Sequence, residues 1–123
     1  MEAALYFAAV LVLLVGAAHS YLGERYLLMP LFRRDDLPRV LGSREFTVRT
    51  LRFAWHVTTV AWLGLAAILV MLAHPPLTPA RIGLAIGVTF LAHFAIALLG
   101  SRGRHLSWIV FLAIGVLAIV ATR

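Results

Sequence analysis

The chain has no cysteine and no lysine, and only five acidic residues. Without cysteine, neither disulfides nor thiolate metal ligands are available. Glu2, Glu24, Asp35, Asp36 and Glu45 are too few and too scattered to support paired-carboxylate catalysis. Phosphate-cradling glycine loops, nucleophile elbows and dinucleotide fingerprints are missing as well. Nothing therefore argues for an enzyme unless a redox cofactor supplies the chemistry. Alternating apolar and polar runs are also absent, which argues against a membrane β-barrel.

What remains is apolar. Hydrophobic residues make up 63%, charged residues 13%, and the mean hydropathy is +0.97, well beyond a soluble domain. Four continuous runs stand out, at about 3–22, 51–73, 79–100 and 107–122. A helix rises ~1.5 Å per residue and the hydrocarbon core is ~30 Å thick, so about twenty residues cross it. The fourth run is short for this. The expected fold is all-α: one domain over 1–123, an integral membrane four-helix bundle with up-down-up-down topology. A short interfacial segment is expected between the first two helices. The first run is not expected to be a cleaved signal, because Met-Glu-Ala-Ala lacks the positive charge of a signal's n-region.

All 11 basic residues are arginines, and the net charge is +6. Arg25, Arg33, Arg34, Arg39, Arg44, Arg49, Arg52, Arg102 and Arg104 flank or fill two loops on one side. Only Arg81 and Arg123 fall on the other. The positive-inside bias places the arginine-rich loops in the cytoplasm of a bacterial inner membrane, with both termini outside. The charge reads as a topology signal and as contact with anionic headgroups. No soluble, groove-reading surface accompanies it, so nucleic acid is not an expected partner.

Local signals divide the chain further. Pro30 is expected to stop the first helix after Gly23–Met29. In Leu31–Gly42, apolar and charged pairs alternate, which predicts a short interfacial turn of helix with Leu31, Phe32, Leu37 and Leu41 in lipid. Ser43, Thr78 and Ser107 are expected helix caps. Gly83 and Gly87 form a GxxxG site for close helix approach. His74, in the Pro-rich loop, is expected to be solvated.

The sharpest pattern is histidine placement. His19 ends the first run, His56 begins the second, His93 lies in the last two turns of the third and His105 precedes the fourth. The alternating path brings all four toward one membrane face, with the first three roughly 6–10 Å inside the boundary. Arg52, His56 and Thr59 share one face of the second helix, and Gly16, Ser20 and Gly23 make a small-residue edge on the first. Ionisable groups at such depth usually face other helices.

Three functions fit this pattern. The leading expectation is an accessory or structural subunit, with the histidines, Ser20, Thr59 and Thr89 acting as interhelical glue. The partners would be other membrane subunits or a second copy. The alternative is a b-type heme or a transition metal. His56 and His93 would be axial ligands with His19 as alternate, Arg52, Arg102 and Arg104 would meet the propionates, and His19, His56 and His93 would be the metal ligands. The third is an oligomeric, proton- or ion-coupled transporter. The run Tyr26-Leu27-Leu28-Met29-Pro30-Leu31-Phe32, after a histidine-bearing helix, resembles the four-helix, heme-dependent protoporphyrinogen oxidases of bacterial membranes. That resemblance covers fewer than ten residues and carries over no activity or functional residue.

Overall fold

The structure, a computed structural model, describes Met1–Arg123. It is all-helical, without strands. Four helices carry the chain: α1 (Glu2–Leu31), α2 (Arg44–Leu72), α3 (Pro79–Ser101) and α4 (Ser107–Val120). The first three are long and apolar enough to cross a membrane. At 14 residues α4 spans only ~21 Å, shorter than a hydrocarbon core. By contrast α2 runs for 29 residues, ~43 Å, so its first turns extend beyond that core.

Pro30 does not stop α1. From Gly23 to Leu28 the helix widens into π register, with the Met29 amide donating to the Glu24 carbonyl five residues back. In that register the missing proline donor no longer interrupts an i→i−4 ladder, and the helix continues to Leu31.

The expected short turn of helix is a single 3₁₀ turn, Val40–Gly42, within an otherwise irregular loop. Side chains of α2 hold this loop. Thr47 Oγ1 donates to the Pro38 carbonyl (2.7 Å) and accepts from the Val40 amide (2.9 Å). The Arg44 guanidinium donates to the Phe32 and Arg34 carbonyls. Leu37 is buried, whereas Leu41 is exposed.

Two caps form as expected. Ser43 Oγ accepts from the Phe46 amide at the start of α2, and Thr78 Oγ1 accepts from the Arg81 amide at the start of α3. The third does not. Leu106 occupies the cap position of α4, and Ser107 Oγ bonds to His105 Nδ1 instead.

The helices lie side by side in chain order. α1 packs on α2, α2 on α3, and α3 on α4; α1 does not return to meet α3 or α4. The arrangement is thus an open row of antiparallel neighbours rather than a closed bundle. Small residues set the seams. A Cβ on Gly87 would meet Ile119 Cγ1 at 2.3 Å and the Gly115 carbonyl at 2.8 Å, so the α3–α4 contact is backbone-close. Only 17 of 123 residues are buried, and the exposed set is rich in Leu and Val. Such a surface suits lipid on its flanks.

Candidate functional site

The α1–α2 seam holds most of the polar side chains within the spans. Gly23 opens it: a Cβ there would lie 2.1 Å from Trp55 Nε1, so the indole crosses α1 only because the position is glycine. Trp55 Nε1–H donates to the His19 carbonyl (3.1 Å), and His19 Nε2 reaches the Trp55 carbonyl (3.4 Å). Their rings stack at 4.4 Å, with Trp62 tilted against the other side of the imidazole.

Next to His19 in the chain, Ser20 is a hub. Its Oγ lies 2.9 Å from His56 Nδ1 and 2.7 Å from Thr59 Oγ1. Thr59 Oγ1 also lies 3.3 Å from the Gly16 carbonyl. On its other side His56 presents Nε2 to Glu24 Oε2 at 3.3 Å. Arg52 grips the same carboxylate, with Nη2–Oε1 at 2.9 Å and Nε–Oε2 at 3.3 Å, and lies over the Phe32 ring.

Proton accounting gives this chain two complete states. With neutral His56, Thr59 donates to Ser20, Ser20 to Nδ1, and Nε2–H to Glu24. With protonated His56, Nδ1–H donates to Ser20, Ser20 to Thr59, and Thr59 to the Gly16 carbonyl. Reversing two hydroxyls is enough to accommodate the proton.

The other two histidines occupy different seams. His93 on α3 donates Nε2–H to the Val57 carbonyl (3.1 Å) and lies between Phe90 and Phe111. That bond places the lone pair on Nδ1, which is buried without a partner. His105, in the α3–α4 loop, packs against Phe46 and Phe53 of α2.

His19, His93 and His105 therefore pack on the first half of α2, between Phe46 and Val57, and His56 belongs to that half; His19 and His56 share the α1–α2 seam, while His93 and His105 lie at other interfaces. His56 and Arg52 come together on Glu24; His19 lies beside them; His93 is apart. Arg104 forms no ion pair. No three His, Asp or Glu side chains gather into a metal-holding group.

Sequence reasoning missed the contact of Trp55 with α1. It also missed the pairing of Tyr6 with His74 at the far end, where Tyr6 Oη lies 2.9 Å from Nε2. The available signal for Trp55 was its place between Arg52 and His56, opposite a glycine.

Outside the spans, Glu45 takes Arg49 (2.8 Å) and Arg102 (3.5 Å). Hydrogen bonding from Arg49, reinforced by the surrounding arginine charge, holds its carboxyl below the ordinary glutamate range.

Fold and site together define a class: an all-helical chain of four helices with membrane-type surfaces and polar seams between neighbouring helices. No family model, curated protein or solved structure matches it.

Proposed function

We propose that the chain is an accessory or structural subunit of a bacterial inner-membrane assembly, with its histidine-side loops in the cytoplasm and both termini outside. The observation that carries this reading is the use made of the polar side chains. Ser20, His56 and Thr59 bond to one another across a helix seam, and His19 and His93 bond to backbone carbonyls of α2. Each such contact contributes only ~0.6–2 kcal/mol in lipid, but together they define which helix faces meet. The open row leaves the outer edges of α1 and α4 without a helical neighbour. A larger assembly supplies neighbours for such edges.

The test is site-directed photo-cross-linking in native membranes. Reactive residues at Leu14 on α1 and Leu117 on α4, both exposed, would label what lies beside each edge. Discrete cross-links to the same membrane polypeptide at defined positions support a subunit. Lipid adducts alone, with a monomer on native electrophoresis, overturn it.

A second reading, b-type heme or a transition metal, is favoured by His93. An imidazole that donates one N–H to a backbone carbonyl and keeps the other lone pair free is arranged as metal ligands usually are. A Soret band in protein expressed with heme precursor, lost in His93→Ala, would favour it over the subunit reading. Against a proton-coupled transporter, the hydroxyl chain ends on the Gly16 carbonyl.

A further inference from the structure

A groove of about 610 Å³ opens between the first turns of α2 and the last turns of α3. Arg44, Arg49 and Arg52 line it beside Glu45, and Val48, Ile96 and Leu99 supply its aliphatic surface. Leu99 is 74% exposed, so that surface is continuous with the flank expected to face lipid.

The local charge does not balance. Glu45 serves both Arg49 and Arg102, and Glu24 serves Arg52 while also facing His56. Arg44 donates only to the Phe32 and Arg34 carbonyls. Four arginines against two carboxylates leave an excess of two positive charges in and around the groove. Guanidinium groups match phosphate oxygens in geometry as well as charge.

We propose that this groove is a specific site for one anionic phospholipid. Its phosphate sits against Arg44, Arg49 and Arg52, and one acyl chain lies along Val48, Ile96 and Leu99. Charge complementarity selects the anionic head, and the aliphatic surface selects a lipid over a soluble anion. The inference depends on membrane placement and not on the subunit reading.

Native mass spectrometry of the full chain tests it, with phosphatidylglycerol, chain-matched phosphatidylcholine and inorganic phosphate as probes. Phosphatidylglycerol adducts should exceed phosphatidylcholine adducts by roughly fivefold or more, as expected when several arginines act on one headgroup. The double variant Arg49→Gln/Arg52→Gln should lose that preference, whereas the charge-matched Arg33→Gln/Arg34→Gln should keep it. Ile96→Trp crowds the aliphatic surface without altering charge and should also reduce the phosphatidylglycerol adduct. It decides the matter if the arginine variant fails to fold. Equal binding of the two lipids, equal loss in the loop control, unchanged binding in Ile96→Trp, or displacement by inorganic phosphate would each overturn the proposal.

Discussion

His19 and Trp55 each bond to the other's backbone carbonyl while their rings stack, with centroids 4.4 Å apart and planes within 3° of parallel. This reciprocal contact sets the register of α1 on α2, and it depends on a third residue. Gly23 leaves the space the indole occupies. Gly23→Ala should therefore displace Trp55 and destabilise the pair by about 1–3 kcal/mol, the usual scale of overpacking. Tryptophan fluorescence should shift and thermal stability in detergent should fall; an unchanged spectrum would contradict the packing.

The α3–α4 seam makes a parallel prediction. Gly87→Val should separate the two helices, because even the first added carbon meets the Gly115 carbonyl and Ile119. Val88→Ala, at an exposed neighbouring position, should not. Distances between spin labels at the ends of α3 and α4 would lengthen in the first variant alone.

Thr47 holds the loop between α1 and α2 with two bonds from one hydroxyl. Thr47→Val removes both and leaves a part-buried amide and carbonyl unpaired, a loss of about 1–3 kcal/mol. Trypsin should then cut at Arg33, Arg34 or Arg39 faster than in the parent chain, by roughly tenfold on that scale. Equal cleavage rates would show that Arg44 alone pins the loop.

Glu45 supplies a pH dependence. Its folded pKa is depressed, so its contribution is present above the ordinary glutamate value of 4.5 and lost as pH falls through the lower folded value. The stability difference between the parent chain and Glu45→Gln should be constant near neutrality and shrink in that acid window. Melting temperatures measured across it would reveal a flat difference if Arg49 and Arg102 contributed nothing.

Much of this was legible because it is local. Ser43 and Thr78 cap helices through amides three residues away, and the apolar runs predict the long helices directly. The Gly83/Gly87 site and the small edge of α1 also become seams, since a missing side chain in lipid leaves room for a neighbour. What could not be read involved distant partners. His74 meets Tyr6 across 68 positions, and Thr47 ties the backbone of the loop at Pro38 and Val40 to α2. Pro30 follows a turn in π register and α1 ends one residue beyond it, at Leu31. The histidines share one end of the row, yet periodicity alone could not separate His93 and His105 from the α1–α2 seam that holds His19 and His56.

The chain-order arrangement of the helices also bears on how the protein is made. Each helix packs only on the one synthesised before it and the one synthesised after it. No early segment has to wait for a distant one, so nearly all packing is closed by short connections, the condition under which folding is fast and exposed intermediates are brief. Assembly can proceed hairpin by hairpin as the chain leaves the ribosome, and α4, too short to hold a membrane position well by itself, arrives last beside a partner already in place.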